Sequence, residues 1–233
     1  MLAAGGSKQR CWFVMFGKCA NTESSRSHQN LSTFLTFAKR HKLSTTSTVY
    51  IGTHYEYTVQ RALLTFGFHL TRVAKSSDLG IDLVGKWSVP SMPIPIRVIV
   101  QCKARGKRLS PENARELEGA FSGAPGGYRG DGVIALLVAA HPATKGMREA
   151  LRRSKSPMGF LQVSREGQVL QFIWNHVATE SGLQDIGVSV RYQARIAPPK
   201  KTKETGMQKE IIMTWKGWEV SKPPEDAGMW SRV

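Results

Sequence analysis

Two short, largely apolar runs constrain the fold of this chain more than any other feature of its sequence. They are Ile94 to Val100 and Val133 to Ala140. A helix needs about 20 apolar residues to cross a bilayer, so neither run predicts a membrane span. Their length and β-branched content predict buried strands. A helix start between them, at Ser110-Pro111, predicts that strands and helices alternate, which favours an α/β sandwich around a mixed sheet.

The other predicted elements follow from apolar periodicity and from turn residues. Apolar positions from Tyr57 to Phe66 recur at helical spacing and stop at Gly67, which predicts an amphipathic helix. Ser110 to Phe121 and a basic stretch through Arg153 predict two more helices. The remaining strands are predicted at His69 to Ala74, Ile81 to Trp87, Ile96 to Lys103, Phe160 to Val163 and Val169 to Trp174.

The N-terminal segment differs in kind from the rest of the chain. Residues 1–45 are basic and rich in serine, with Glu23 as the single acidic residue. This composition predicts a mitochondrial transit segment, and a disordered basic tail is the alternative. Ser32 to Ala38 also fits the start of a helix. The resulting domain prediction is residues 1–45 as a targeting or disordered segment, 46–196 as the folded domain, and 197–233 as a polar basic tail with an edge strand near 210–218.

Charge and cysteine content narrow the class of partner and compartment. The chain has 33 Lys and Arg against 17 Asp and Glu, a formal net charge of +16. Such an excess favours a polyanionic partner, either nucleic acid or an anionic membrane. Three loosely spaced cysteines do not form a disulfide framework, which indicates a reducing compartment. Histidines and cysteines lack paired ligand spacing, so no zinc site is expected.

A group of polar residues around the third predicted strand suggests phosphodiester hydrolysis. That reaction uses a divalent cation, oxygen ligands to hold it, and a positive group to stabilise developing negative charge. Gln101 and Lys103 are two apart on a strand and share a face, whereas Cys102 points to the other face with its carbonyl available. Asp82 reaches the same face if its strand forms a hairpin with this one. Glu56 must arrive from a helix packed across the sheet.

Each of these residues also has an ordinary structural interpretation. Asp82 by itself fits a strand-end carboxylate, and Lys103 fits a solvated strand-end lysine. Gln101 inside an apolar strand is harder to explain in that way, because a buried amide needs hydrogen-bond partners. Asp78 fits a turn residue better than a ligand, and Cys102 fits the core better than a reactive thiol. Glu56, Asp82, Gln101 and Lys103 together favour a catalytic site.

At this point the sequence resembles a known group of nucleases. Glu56, the segment Asp78 to Leu83 and the segment Gln101 to Ala104 are similar, in order and spacing, to the PD-(D/E)xK pattern. The likeness is to the Mrr-like branch in particular, which carries glutamine where most members carry an acid. The resemblance covers about Thr53 to Val163 and implies a restriction-endonuclease-like three-layer sandwich, with a central mixed sheet flanked by helices.

A second resemblance covers more of the chain. The segment Ser47 to Glu56, together with Gly85-Lys86-Trp87 and Met213 to Gly217, is similar to the fungal mitochondrial family named "required for respiratory growth protein 7". This likeness spans roughly Asn30 to Trp218. It implies a mitochondrial location, with the matrix as the expected compartment, and a link to respiratory growth.

The nuclease resemblance also implies a role for each site residue. Asp82 would be the central metal ligand, Gln101 a second ligand through its amide oxygen, and the Cys102 carbonyl a third. Lys103 would act on the attacking water, and Glu56 would bind the metal directly or through water. The implied cofactor is Mg²⁺ or Mn²⁺. Because a neutral amide attracts a cation less than a carboxylate does, Gln101 implies weaker metal affinity.

Basic residues near the site are candidates for contact with nucleic-acid phosphates. The alternative is a solvated loop and helix face. Phosphate contacts carry no sequence information, so no defined recognition sequence is expected. The candidates are Arg105, Lys107 and Arg108 after the third strand, and Arg148, Arg152 and Arg153 on the following basic helix.

The sequence therefore favours a metal-dependent endonuclease of mitochondria, with DNA rather than RNA as the expected partner. One alternative is a non-catalytic nucleic-acid-binding protein that keeps the nuclease fold. Another is a respiratory assembly factor whose basic surface contacts RNA or a membrane. A homodimer stays open, because Mrr-like nucleases are often dimeric.

Overall fold

The computed structural model describes residues 28–73, 80–88, 94–104, 106–194 and 207–220. Its helices are α1 Leu31–Arg40, α2 Thr48–Leu64, α3 Pro111–Ser122, α4 Lys145–Arg153 and the short α5 His176–Ala178, which a π-helical turn at Thr179–Leu183 extends. Its strands are β1 Phe68–Arg72, β2 Leu83–Trp87, β3 Ile96–Lys103, β4 Val133–Ala139, β5 Met158–Val163, β6 Val169–Trp174, β7 Ile186–Ala194, β8 Met207–Trp215 and β9 Trp218–Glu219.

Six strands form the central mixed sheet in the order β1-β2-β3-β4-β5-β6. The first three strands pair antiparallel, β3, β4 and β5 run parallel, and β6 returns antiparallel to β5. Helices cover both faces of the sheet, so the α/β sandwich predicted from the sequence is confirmed. The bounds of β3 and β6 agree with the sequence prediction, and α3 begins at Pro111, directly after Ser110.

Two apolar cores lie on opposite faces of this sheet. Along β3, Val98 and Val100 belong to the core under α2, whereas Ile99 belongs to the core under α3 and α4. This alternation follows from the two-residue period of a strand. Full burial of such a side chain contributes about 1.5–3 kcal/mol, so the two cores together fix both helical layers to the sheet. The end of β3 consequently lies between α2 on one side and α3 on the other.

Helix α2 begins earlier than the apolar pattern from Tyr57 predicts. The Ser47 side chain accepts a hydrogen bond from the backbone N–H of Tyr50, which caps the helix, and Gly52 is inside it. Capping by serine satisfies an amide that would otherwise lack a partner and adds about 1 kcal/mol. The longer helix places Glu56 in its middle, where the helix packs on the sheet.

Helix α1 lies within residues 1–45, the segment predicted to be targeting or disordered. Phe34 is buried in α1 and packs against Tyr57 of α2. The Tyr57 hydroxyl also lies 2.7 Å from Nδ1 of His28. The packed part of the chain therefore begins before the expected boundary at residue 46. The transit-segment prediction for residues 1–27 lies outside the described residues, as do the predicted turn at Asp78 and most of the proline-rich connection before β3.

A second sheet, in the order β7-β8-β9, packs on the α2-side core. The strand predicted near residues 210–218 corresponds to β8, but the edge position predicted for it is wrong. Strands β7 and β9 pair with its two sides. Strand β7 alternates apolar with small or polar residues along its whole length, from Ile186 to Ala194, a strand signal that the sequence prediction did not use. Ile186, Ile211 and Met213 join the second sheet to the core.

Strand β1 lies at one edge of the six-stranded sheet. Its Leu70 carbonyl accepts a 2.7 Å hydrogen bond from the Gln60 side chain of α2. Gly85 on the neighbouring β2 allows close approach, because a Cβ there would lie 2.0 Å from the His69 carbonyl oxygen. Within the described residues, no helix is both long and apolar enough to cross a membrane.

Candidate active site at the end of strand β3

Glu56 reaches the sheet from α2 and forms an ion pair with Arg72 of β1. The Arg72 Nε donates to a Glu56 carboxylate oxygen, and the two side chains are only 24% and 13% exposed, respectively. The guanidinium also lies over the Tyr57 ring, 5.9 Å from its centroid. Helix α2 thus packs across the sheet in the way the predicted site requires. There Glu56 meets a cation, Arg72 of β1, that the predicted site does not include.

The charge state of Arg72 reflects its surroundings. Burial alone lowers the pKa of its guanidinium, but the hydrogen bond and charge of Glu56 outweigh burial and raise the pKa above its ordinary value. The charge of Asp82 adds to this rise. Arg72 is therefore a fixed cation shared by both predicted acidic ligands.

Arg72 was not among the residues selected from the sequence, although a signal for it exists. Phe68 and Leu70 are buried on β1, and the two-residue period of a strand places Arg72 on the same inward face. A charged residue on an inward face needs a partner, because an unpaired buried charge is costly. The two-residue period of the strand and the positive charge of Arg72 would together have predicted a carboxylate opposite this arginine.

Asp82 lies just before β2 and its carboxylate turns toward β3. Its Oδ2 accepts a 2.6 Å hydrogen bond from the backbone N–H of Cys102. Its own N–H donates to the Val100 carbonyl at 2.9 Å, and its carbonyl accepts from Val73 at 2.8 Å. These bonds hold Asp82 between the strands on either side, so its carboxylate has a defined position beside the Gln101-Cys102-Lys103 segment.

Gln101 is buried in the centre of the sheet with one polar atom unexplained. Its side chain is 4% exposed, and among the described residues Oε1 has no hydrogen-bond partner. Gly80 adopts a positive φ of 84°, and a Cβ there would lie 2.5 Å from the Gln101 Nε2. An unsatisfied buried acceptor costs about 1–3 kcal/mol, which makes this oxygen a candidate ligand atom.

Lys103 extends toward α3, on the opposite face from Glu56. Its Nζ donates to Glu116 Oε2 at 2.9 Å, and the same oxygen accepts from Asn113 Nδ2 at 3.2 Å. Lys103 is 17% exposed and Glu116 52% exposed. The shared face predicted for Gln101 and Lys103 agrees with the burial of Ile99 on the α3 side. Glu116 was not predicted, because nothing in its sequence context distinguishes it from other exposed helical acids.

Cys102 is on the α2 side of β3 and partly packs against that core. Burial raises the pKa of its thiol well above the ordinary value, and the nearby charges of Asp82 and Glu56 raise it further. The thiol therefore stays protonated near neutral pH and is not a nucleophile. The charges of both predicted carboxylates thus act on the thiol at this end of β3.

The basic residues after β3 are at the surface. Lys107 and Arg108 are exposed, and Arg105 lies outside the described residues. Exposed cations next to a strand end are available to contact phosphates without being fixed by protein partners. Their arrangement agrees equally with the solvated loop that the sequence leaves as the alternative.

The three arginines of α4 form a separate group. Arg152 and Arg153 each pair with Glu149 on their own helix, at 2.8 and 2.9 Å. Arg148 is exposed and donates to the Ala143 carbonyl at 3.3 Å. Since exposed ion pairs contribute little, these pairs do not prevent the arginines from reorienting toward another anion.

The oxygen atoms of the candidate site suit a hard divalent ion that keeps some of its water ligands. No group of three His, Cys, Asp or Glu side chains able to hold a metal occurs in the described part of the chain. Mg²⁺, however, usually retains several waters and takes only one or two protein carboxylates. The Asp82 carboxylate and the Gln101 oxygen, which has no partner among the described residues, offer two donors at the end of β3, whereas Glu56 approaches from the α2 side, opposite to Lys103. The residues present therefore fit such an ion.

The sequence was compared with protein families and with individual proteins. A sequence model of the family described as "Required for respiratory growth protein 7" matches residues 47–94 and 92–192. An uncharacterized mitochondrial protein of Schizosaccharomyces pombe is 33% identical over 66% of this chain and 62% of its own length. "Required for respiratory growth protein 7, mitochondrial" of Saccharomyces cerevisiae is 25% identical over 54% of this chain and 70% of its own length.

Among solved structures, restriction endonuclease FokI matches with a TM-score of 0.33 and 17% identity. The match covers 58% of this chain and 29% of the FokI chain. The family match includes all four residues of the candidate site, Glu56, Asp82, Gln101 and Lys103.

Proposed function

The chain belongs to the Required for respiratory growth protein 7 family, and from that premise we propose that it is a mitochondrial, metal-dependent endonuclease acting on DNA. The observation that carries this proposal is the pairing of a fixed carboxylate with an unsatisfied amide oxygen. Asp82 is held by the Cys102 amide, and the Gln101 oxygen is buried without a partner among the described residues. A divalent cation is the ligand that explains both features.

In this proposal Asp82, the Gln101 amide oxygen, the Cys102 carbonyl and Glu56 hold Mg²⁺ or Mn²⁺. When bound, such an ion screens the phosphate and acidifies a water. The Cys102 N–H keeps the Asp82 carboxylate in place, so this ligand needs little reorganisation. Lys103 supplies an ammonium that orients the attacking water and stabilises negative charge as it develops on the phosphate.

The net charge of the chain supports a nucleic-acid partner. A formal charge of +16 raises the local concentration of any polyanion. Lys107 and Arg108 follow β3 in the chain. If they contact phosphates, they would position the duplex without reading its sequence. DNA is proposed over RNA because the motif resembles restriction-type nucleases. The mitochondrial names of the relatives support the organelle, and the matrix is the compartment proposed within it.

One observation favours a second candidate, a non-catalytic nucleic-acid-binding or respiratory assembly factor that keeps the fold. Both charged ends of the site are already paired, Glu56 with Arg72 and Lys103 with Glu116. A site that had lost catalysis would retain such pairs for stability. This candidate predicts binding of nucleic acid that does not depend on metal.

A nicking assay separates the two candidates. The full chain is incubated with supercoiled circular DNA and Mg²⁺ or Mn²⁺, alongside Asp82→Asn and Lys103→Gln. Asp185→Asn is the matched control, since this carboxylate lies next to β7 and contacts Lys216 at 3.9 Å. The proposal requires nicking by the parent and the control and none by the two site variants. Binding without cleavage, unchanged in Asp82→Asn, would establish the second candidate instead.

Location and assembly need separate measurements. N-terminal sequencing of the protein recovered from mitochondria shows whether the first segment is removed. Protease protection after the outer membrane is opened distinguishes the matrix from the intermembrane space. Light scattering on the purified chain tests the homodimer that the nuclease resemblance leaves open.

A further inference from the structure

We propose that Arg72 is an internal counter-cation that competes with the divalent metal for Glu56, so that metal loading requires the Glu56–Arg72 ion pair to open. This inference rests on the proposed metal site and adds a control element to it. The Arg72 guanidinium and the divalent ion compete for the Glu56 carboxylate.

The first support is the position of the pair. Arg72 is on the inward face of β1 and Glu56 is on the face of α2 that packs on the sheet, so neither charge points to bulk water. Partly buried charges are stable only when paired, because each has lost much of its hydration. The metal-free protein therefore keeps the pair closed, with one carboxylate oxygen of Glu56 occupied by the guanidinium.

The second support is how close this pair lies to Asp82. Across the β1–β2 ladder Arg72 is the register partner of Leu83, the residue directly after Asp82. The next residue of β1, Val73, donates its N–H to the Asp82 carbonyl at 2.8 Å. The guanidinium pairs with Glu56, and the charge of Asp82 also acts on it.

These positions lead to a thermodynamic linkage. If metal and guanidinium exclude each other at Glu56, then each weakens the binding of the other by the same factor. Removing the guanidinium should strengthen metal binding even though it removes a residue of the site. The opposite result is expected if Arg72 merely supports the fold or helps to shape the metal site.

Metal affinity is measured by electron paramagnetic resonance of free Mn²⁺ during titration of the full chain. Arg72→Gln should bind Mn²⁺ about tenfold more tightly than the parent, since a partly buried pair must otherwise be broken. Arg72→Lys keeps the charge and should stay within about twofold of the parent. Arg115→Gln, which removes an exposed Arg–Glu pair on α3, is the matched control and should not differ from the parent. Unchanged or weaker binding by Arg72→Gln overturns the inference.

A second background tests whether Arg72 acts through Glu56. The effect of Arg72→Gln is expressed as the logarithm of the ratio of Mn²⁺ affinities with and without the change. In the Glu56→Gln background this effect should be less than half of its size in the parent. An equal effect in both backgrounds means that Arg72 acts on the metal only through the electrostatic field of its charge. That result overturns competition at Glu56.

A measurement on the parent covers the case in which Arg72→Gln does not fold. The Nε–H resonance of Arg72 in a ¹⁵N spectrum should move to the position of an unpaired guanidinium as Mg²⁺ saturates the site. A resonance that stays unmoved at saturation overturns the inference.

The outcomes also separate this inference from the nuclease proposal. Tighter Mn²⁺ binding by Arg72→Gln with no DNA nicking by any variant supports the competition and rejects the nuclease. Nicking by the parent, with unchanged metal affinity in Arg72→Gln, rejects the competition alone. Absence of Mn²⁺ binding by every variant overturns the competition.

Discussion

The two sides of the β3 end treat charge in different ways. On the α2 side, Glu56 pairs with the Arg72 guanidinium, and Glu56 is only 13% exposed. On the α3 side, Lys103 meets a carboxylate that is 52% exposed. Each charge of the linear motif thus has a partner that the motif does not contain. The difference is that the α2-side pair is enclosed, whereas water reaches the carboxylate on the α3 side.

This difference suggests a division of roles. An enclosed pair is costly to break, so the α2 side should contribute to folding as well as to metal binding. A pair open to water is worth little, so Lys103 is easily released when substrate arrives. The following predictions test this contrast, beginning with the largest expected effect.

Glu56→Gln should destabilise the protein much more than Glu116→Gln does. The first leaves the half-buried Arg72 without a carboxylate and should lower the free energy of unfolding by about 2 kcal/mol. The second releases a pair that water already reaches and should cost less than about 1 kcal/mol. Urea unfolding followed by circular dichroism measures both. Equal losses would remove the contrast between the two sides.

Gln101→Met should stabilise the fold while abolishing cleavage. Methionine has a similar length and removes the buried oxygen that lacks a partner among the described residues. The free energy of unfolding should rise by about 1 kcal/mol, because an unsatisfied acceptor is destabilising. Thermal unfolding and the nicking assay are run on the same sample. A less stable variant would mean that the amide already has its partners in the metal-free protein.

Glu116→Gln should make DNA cleavage faster, by no more than about fivefold, because an exposed pair restrains Lys103 by less than about 1 kcal/mol. Glu112→Gln is the control, since Glu112 pairs with Arg115 on the exposed face of the same helix. Initial nicking rates at one salt concentration provide the comparison. Slower cleavage by Glu116→Gln alone would show that the carboxylate positions Lys103 for catalysis.

The smallest effect concerns the Cys102 thiol. Burial and then the charges of Asp82 and Glu56 raise its pKa, so less thiolate is present at a given pH than in a free cysteine. Asp82→Asn removes one of these charges, lowers the pKa and should increase the alkylation rate about twofold to threefold, since burial persists. Iodoacetamide labelling at pH 8 in a Cys11→Ser, Cys19→Ser background measures the rate. An unchanged rate would place the Asp82 charge too far away to matter.

The sequence predicts the α2–α3 contrast only in part. The two-residue period of a strand correctly separates Lys103 from Cys102, and the capping residues before α3 correctly locate its start. Local rules suffice there because both features depend on neighbours in the chain. Arg72 and Glu116 come from other elements, so their pairing depends on how helices pack on the sheet, which no local pattern contains.

The same limit applies at the two ends of the domain, although the helix start that the sequence allows at Ser32 to Ala38 is confirmed by α1. Ser-rich and basic composition indicates a targeting segment, yet Phe34 of α1 finds a pocket against Tyr57. The residues of β7 alternate regularly and predict a strand, but its pairing with β8, which lies further along the chain, follows from no local pattern. Composition describes the average character of a segment, whereas one buried aromatic residue decides whether it docks.

The hydrogen bond from Gln60 to the Leu70 carbonyl has a consequence for self-association. An exposed sheet margin invites another chain to extend it, which is a route to polymers in a crowded organelle. Here one acceptor of that margin is already occupied by the protein's own helix at 2.7 Å. Copies that collide along β1 must first displace an internal amide, so lateral growth into filaments is discouraged without a proline on the strand itself.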